Sequence, residues 1–233
     1  ILKCQKIYLL RLTMNKKKIF IAVDTNKVSL AKKIIKDTQT NKIKVGYKFG
    51  LEFMNSKNGR RFISTLRNKI IFIDLKLKDT VNTMVSAVKA LKDLKIDYLT
   101  VHISSGLAAL KAVKKVSGRT KIIGVTTLTS LNDNDLKLIG YNKTVKSLVI
   151  HQAKLAKKAS LDALVCSPYE VGSLRKIFKK EIITPGVQIG KKNYDQKRSM
   201  EAKKVQSDWI VIGRAITRGN VKKNIQNLAK ELR

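Results

Sequence analysis

The apolar positions of this chain follow two alternating patterns. Short continuous runs of β-branched and other apolar residues are typical of strands that are covered on both faces. Between these runs, apolar residues recur every three or four positions, as in the stretch from Val81 to Leu91, which predicts amphipathic helices. We interpret eight runs as strands, at residues 19–23, 43–46, 70–74, 98–102, 121–126, 163–166, 182–184 and 209–212.

Alternation of strand and helix places the chain in the α/β class, as either a closed (β/α)8 barrel or a doubly wound open sheet. The count of eight strands favours the barrel, the TIM-barrel fold, and 233 residues is a common length for it. No linker or composition break divides the chain, so we predict a single domain over residues 14–233. Residues 1–13, which are apolar and basic, are interpreted as a non-structural extension that precedes Met14.

The formal net charge of +34 invites a nucleic-acid interpretation, which the distribution of charge does not favour. Ten of the 50 basic residues are arginine, although recognition of bases and phosphates favours the bidentate arginine fork. The lysines are also spread along the whole chain. We therefore interpret them as a solvated surface whose positive field attracts an anionic substrate, and expect no nucleic-acid partner.

The compartment is indicated by the cysteines and by hydropathy. The chain has two cysteines, Cys4 and Cys166, far apart and in unlike contexts, which argues against a disulfide framework or a cysteine metal site. This usage fits a reducing cytosol, so we expect a cytoplasmic protein. No apolar run approaches the roughly 18–20 residues that span a bilayer, so no membrane association is expected.

The most informative polar residues follow the third predicted strand. Asp74 and Lys76 point to the same side of a strand, because side chains alternate, and Asp79 follows where a helix begins. Buried charges are costly unless they are paired, so a cluster of this kind indicates a functional site. The alternative is a solvated strand end with an incidental ion pair.

Active sites of (β/α)8 barrels lie at the carboxyl ends of the strands. That rule selects further candidates at the ends of other strands, and we interpret His102 among them as a wall residue. Loops after strands 7 and 8 often bind phosphate, and here they contain Gly186 and the pair Gly213 and Arg214. A phosphorylated substrate is therefore expected. The further candidates are Asp24, Lys44, His102 and residues 126–130.

These residues resemble the orotidine 5′-monophosphate decarboxylase family, in its bacterial type. The signature is Asp-x-Lys-x-x-Asp followed by x-x-x-Thr, at Asp74, Lys76, Asp79 and Thr83. Other motifs follow in the family's order, at residues 22–24, 44–46, 125–130, 184–186, 195–196 and 211–214. The resemblance implies a carboxy-lyase that converts orotidine 5′-phosphate to UMP and CO2 in pyrimidine biosynthesis. It implies no cofactor, no metal, and a homodimer with shared active sites.

The resemblance also implies individual roles. Lys44, Asp74 and Lys76 would form a row of alternating charge with Asp79 of the partner subunit, and Lys76 would deliver the proton. The substrate-binding residues would be Asp24 and Lys44 for the ribose, Asp79 and Thr83 from across the dimer, Thr129 and Ser130 for the pyrimidine, and Gln196, Gly213 and Arg214 for the phosphate. Residues 186–195 would form a closing lid, in which Gln188 stands where family members often have arginine.

Two other readings stay open. Sister phosphosugar enzymes of the same barrel suite, such as hexulose-phosphate synthase and keto-gulonate-phosphate decarboxylase, resemble the signature. They typically have glutamate where Asp74 stands and need Mg²⁺. A basic nucleic-acid-binding protein is the other alternative, but it would leave the cluster after strand 3 unexplained.

Overall fold

The computed structural model describes residues 18–188 and 200–232. Their strands are β1 (Lys18–Ala22), β2 (Lys44–Gly50), β3 (Ile70–Leu77), β4 (Tyr98–His102), β5 (Lys121–Val125), β6 (Ala163–Val165), β7 (Glu181–Thr184), β8 (Val187–Gln188), β9 (Met200–Glu201) and β10 (Trp209–Ile212). Strands β1 to β7 and β10 close into a parallel barrel in chain order, which confirms the predicted (β/α)8 fold. Strands β8 and β9 pair with each other as a separate sheet.

Helices cover the outside of the barrel. In the described residues they are α1 (Val28–Asp37), α2 (Leu51–Met54), α3 (Gly59–Thr65), α4 (Val81–Ala90), α5 (Leu107–Val116), α6 (Asp133–Leu138), α7 (Val145–Lys158), α8 (Val171–Ile177), α9 (Arg214–Thr217) and α10 (Val221–Glu231). Because strand side chains alternate, Ile19 and Ile21 of β1 belong to the layer between barrel and helices, whereas Phe20 points into the barrel. No helix among the described residues is long and apolar enough to cross a membrane.

Aromatic side chains close the amino-terminal half of the barrel. Phe20 stacks on Trp209 with ring centroids 4.1 Å apart, and it meets Phe72 and Tyr98 edge to face. The strand next to Phe20 carries Gly46, where an added Cβ would lie only 2.6 Å from the Phe20 ring. A larger residue at that position would displace the ring. Aromatic side chains therefore fill the interior at the amino-terminal end of the barrel, and polar groups lie at the carboxyl ends of the strands.

Two strands extend further than the hydrophobic pattern predicts. Strand β2 was expected to end at Gly46 but continues to Gly50, and β3 continues from Asp74 to Leu77. The polar residues Lys48 and Lys76 interrupt the apolar runs, yet both stay within strands because they face the barrel mouth. The bounds of β4 and β10 agree with the prediction. The predicted extension over residues 1–13 lies outside the described residues.

Candidate active site

A row of alternating charges crosses the carboxyl ends of three adjacent strands. Oδ2 of Asp74 lies 2.9 Å from Nζ of Lys76 and 3.4 Å from Nζ of Lys48. Nζ of Lys48 in turn lies 3.3 Å from Oδ1 of Asp24. The order of the row is therefore Asp24, Lys48, Asp74 and Lys76, with each ammonium beside at least one carboxylate.

The register of the barrel explains why these groups meet. Lys48 of β2 pairs with Ala22 of β1 on one side and Phe72 of β3 on the other, so its side chain shares their inward-facing layer. Asp74 lies opposite Gly50, one inward-facing position further along β3. Gly50 leaves room at that layer, and a Cβ there would already lie 3.5 Å from Nζ of Lys48.

Asp74 is buried, and its charge is held by its neighbours. Burial alone would raise the pKa of this carboxyl, but the positive charges of Lys48 and Lys76 and hydrogen bonds from Lys76 and Thr100 together lower it. Asp74 is therefore a carboxylate at neutral pH. Its side chain is 12% exposed, whereas that of Lys76 is 33% exposed, so the lysine is the member of this pair that is more open to the cavity.

His102, at the end of β4, is half-buried beside the row. Burial, followed by the positive charges of Lys78 and Lys76, lowers the pKa of its imidazole, and the Asp74 charge opposes this only in part. The imidazole is therefore neutral at neutral pH. The imidazole therefore adds no charge to the row, and His102, which was expected to be a wall residue, is not among the described residues that line the cavity.

The row borders a cavity of about 690 Å³ at the mouth of the barrel. Pockets of several hundred Å³ accommodate small organic ligands. Apolar side chains, including Leu128 and Val165, line the wall, and Gly186, Gly213 and Arg214 lie in the loops after β7 and β10. The cavity thus combines a charged row with the glycine and arginine pattern of a phosphate site. Predicted site residues that line it are Asp24, Asp74, Lys76, Thr129, Gly213 and Arg214.

The structure corrects the prediction for Lys44. This residue is exposed at the amino-terminal start of β2, where it pairs in register with Lys18, at the end of the barrel opposite the cavity. The lysine that β2 contributes to the row is Lys48, four residues further along the strand. The sequence held a signal for it, because Tyr47 and Phe49 are large apolar residues with the spacing of an outward-facing strand pair.

Other predicted residues lie at the rim or outside the described part. Asp79 and Thr83 are exposed at the start of α4, where Asp79 accepts a hydrogen bond of 2.6 Å from the Thr80 N–H. Ser130 is exposed and is not among the residues that line the cavity. Gln196 lies outside the described residues, as does most of the expected lid over residues 186–195. For Gln188 the structure describes the backbone, in β8.

Besides Lys48, two groups near the cavity were missed by the sequence analysis. Thr100 of β4 is fully buried and bonds to Asp74 and to the backbone of Lys76. A threonine within an apolar strand gives little sign of such a role, except that it lies two residues before His102 and so shares its face. Arg218, just after α9, lines the cavity near Arg214. Arginine there adds positive charge at the expected phosphate end.

Comparison with known proteins supports the family resemblance that the sequence motifs indicate. Residues 17–226 match the family model described as Orotidine 5′-phosphate decarboxylase / HUMPS family. Orotidine 5′-phosphate decarboxylase of Wolbachia sp. subsp. Brugia malayi (strain TRS) is 40% identical over 220 residues, which cover 90% of this chain and 96% of that protein. The enzyme of Wolbachia pipientis subsp. Culex pipiens (strain wPip) is 44% identical over 184 residues, 75% of this chain and 81% of that one. The crystal structure of orotidine 5′-phosphate decarboxylase from Lactobacillus acidophilus superposes with a TM-score of 0.79 at 28% identity, covering 93% of this chain and 99% of that chain.

Proposed function

Because this chain belongs to the orotidine 5′-phosphate decarboxylase / HUMPS family, we propose that it converts orotidine 5′-phosphate to UMP and CO2. This carboxy-lyase reaction supplies UMP in pyrimidine biosynthesis. The observation that carries the proposal is the row Asp24, Lys48, Asp74 and Lys76 beside a cavity that Gly213 and Arg214 also line. The three similar proteins described above are named orotidine 5′-phosphate decarboxylases, which supports the same substrate.

The chemistry follows from the charge that the reaction creates. When the bond between C6 of the pyrimidine and the carboxyl carbon breaks, its electron pair stays on C6. The ammonium of Lys76, fixed 2.9 Å from Asp74, stabilises this developing charge and then transfers its proton to C6. The Asp74 carboxylate lies beside the departing carboxylate, and repulsion between them is relieved as neutral CO2 leaves. Lysine then recovers a proton from solvent.

The remaining groups bind the substrate. Asp24, with a side chain 58% exposed at the cavity, accepts hydrogen bonds from ribose hydroxyls, and Lys48 donates one beside it. Thr129, in the loop after β5, contacts the pyrimidine. The backbone at Gly213 and the guanidinium of Arg214 bind the phosphate, and binding energy from that remote group lowers the barrier at C6. Ser130, Gln188 and Gln196 complete the predicted set.

We propose that the reaction needs neither metal nor cofactor. The Asp74 carboxylate lies within 3.4 Å of two ammonium groups, and these would repel a divalent cation. No group of three or more histidine, cysteine, aspartate or glutamate side chains with the arrangement of a metal site occurs in residues 18–188 and 200–232. Electron transfer has no part in this decarboxylation.

We further propose a homodimer in which Asp79 and Thr83 serve the active site of the partner subunit. Both are exposed at the rim, next to the carboxyl end of β3. Two large apolar side chains are also exposed there, Leu51 at 56%, directly after β2, and Val81 at 40%, at the start of α4. Apolar groups at a rim are typical of a contact surface. Few cysteines fit a cytoplasmic location, and the positive surface attracts the anionic substrate rather than nucleic acid.

The test is the loss of orotidine 5′-phosphate absorbance in the presence of a metal chelator. The wild type and a Lys78→Ala control, an exposed lysine after β3, are expected to turn over, whereas Lys76→Ala is expected to lose activity. Turnover by Lys76→Ala at the wild-type rate would refute the assigned proton donor. Absence of wild-type turnover with chelator, but turnover of a hexulose phosphate with Mg²⁺, would refute the proposed reaction in favour of the sister activity.

A further inference from the structure

Thr100 connects Asp74 and Lys76, the last two residues of the charged row, through a single hydroxyl. Its Oγ1 donates a hydrogen bond of 3.0 Å to Oδ1 of Asp74, and it accepts one of 2.9 Å from the backbone N–H of Lys76. The residue lies in the middle of β4 and is fully buried. It is not among the residues that line the cavity, so it does not touch the substrate.

The strand ladder shows why that hydroxyl is needed. Ile73 of β3 pairs with Leu99 of β4, and the next pair is Leu77 with Val101. Residues 74–76 of β3 are therefore opposite Thr100 alone, which makes an irregular bulge. Bulges of this kind change the direction in which a side chain points.

The backbone of Lys76 is in an unusual conformation within this bulge. Its φ is +49°, in the left-handed region that residues with a side chain rarely adopt. The Lys76 N–H, displaced from the regular ladder, is satisfied by the threonine side chain instead of a β4 carbonyl. A strained conformation persists only where its surroundings determine it, and Thr100 supplies one such constraint.

We propose that Thr100 is the positioning residue that holds Asp74 and Lys76 in their reactive arrangement. The proposal rests on the proposed function, in which these two residues act on the substrate. The hydroxyl aligns Oδ1 of Asp74 and fixes the backbone from which Lys76 extends. Oδ2 is thereby left for the two ammonium groups.

The same hydroxyl affects the pH dependence of the site. The groups facing Asp74 are Lys48 from β2, Lys76 from its own strand, and Thr100 and His102 from β4. A hydrogen bond to a carboxylate favours its ionised form, so removing the Thr100 hydroxyl raises the pH at which Asp74 takes up a proton. The acidic limb of the kcat profile then moves to higher pH. A change of packing alone would not move it.

The experiment compares Thr100→Val, which keeps the shape and removes the hydroxyl, with Thr100→Ser, which keeps the hydroxyl. We expect kcat of the valine variant to fall about tenfold to hundredfold, as for loss of one buried hydrogen-bonding group, with KM within about threefold. The serine variant is expected to recover most of kcat and the wild-type acidic limb. The matched control is Thr38→Val, a buried threonine that bonds to Ile34 in α1, which is expected to change stability without changing kcat.

A second readout does not depend on activity. Hydrogen exchange of the Lys76 amide is expected to be slow in the wild type and in Thr100→Ser and faster in Thr100→Val, with Thr100→Ala as the substitute if the valine variant does not fold. Three outcomes would each overturn the proposal. They are a wild-type kcat in a folded Thr100→Val enzyme, equal losses of kcat in the serine and valine variants, and unchanged hydrogen exchange of the Lys76 amide in Thr100→Val. An inactive wild type would refute the proposed function alone, and the exchange measurement would still decide the role of Thr100.

Discussion

Nζ of Lys48 lies 3.4 Å from Oδ2 of Asp74, across the pair of strands β2 and β3. The same ammonium lies 3.3 Å from Oδ1 of Asp24, so one lysine joins the two carboxylates of the charged row. Its side chain is only 12% exposed. A cation with two carboxylate neighbours and little water is difficult to replace.

The first prediction separates this lysine from Lys44. We expect Lys48→Ala to lower kcat/KM at least about a hundredfold, because it removes a preorganised charge from the row. Lys44→Ala, at the other end of the same strand, is expected to change kcat/KM less than about twofold, as is usual for surface substitutions. Steady-state kinetics on both variants check this. Equal losses in the two variants would contradict the assignment of Lys48.

The second prediction concerns the floor of the barrel. The Tyr98 hydroxyl donates to Oε2 of Glu181 at 2.9 Å, and Lys121 donates to the same oxygen at 2.9 Å. Burial, followed by the Glu181 charge and hydrogen bond, raises the pKa of Tyr98 to about 12. Tyr98→Phe is expected to lower the free energy of unfolding at neutral pH by about 1.5–3 kcal/mol, the usual range for a hydrogen bond to a charged group.

The raised pKa of Tyr98 determines how its contribution to stability changes at alkaline pH. Because the folded pKa is raised, the contribution of Tyr98 is fully present below the unfolded value of about 10 and is lost as pH rises through about 12. The stability difference between wild type and Tyr98→Phe should therefore shrink over that window in chemical denaturation. The control is Tyr169→Phe, at a residue that is 63% exposed. A difference that stays constant with pH would rule out the linkage.

The fold could be predicted because its signal is repeated. Each of the eight barrel strands carries an apolar run, and an error of a few residues in one run does not change the count or the order. The prediction of individual site residues does not tolerate an error of a few residues in a strand's bounds. Ending β2 at Gly46 instead of Gly50 moved the predicted strand end by four residues and selected Lys44 in place of Lys48.

Some site residues could not be found from local pattern at all. Asp74 and Lys76 stand out because charges follow an apolar run. Thr100 has no such contrast, and its role depends on which residues of β3 lie opposite it. That register includes the bulge at residues 74–76, which leaves no periodic trace in the sequence.

The third prediction tests the shared active site. If Asp79 acts in the site of the partner subunit, a heterodimer of one Lys76→Ala chain and one Asp79→Ala chain has one intact site and one doubly altered site. We expect the purified heterodimer to have about half the wild-type activity, as two-fold symmetry requires, whereas both altered homodimers are inactive. Differently tagged chains allow its isolation. A verified heterodimer no more active than the homodimers would show that Asp79 does not cross the interface.

The fourth prediction concerns the lid after β7. Strand β8 begins at Val187, which lines the cavity together with Gly186, and Gln188 is the next residue. The resemblance to the family leads us to expect arginine at this position, so glutamine leaves residue 188 without a positive charge near the expected phosphate. Lys191 or Lys192 is a candidate to replace it, although both lie outside the described residues.

We therefore expect Gln188→Arg to lower KM for orotidine 5′-phosphate about tenfold, because an arginine–phosphate hydrogen bond is charge-assisted and bidentate. The gain should be absent with orotidine, which has no phosphate, and absent in Gln188→Met, which changes the side chain without adding charge. Kinetics with both substrates separate a phosphate contact from a general change in the lid. If Gln188→Arg alters neither KM nor kcat/KM, the glutamine does not weaken phosphate binding. Another residue then supplies the positive charge, and Arg218, which lines the same cavity, is the candidate.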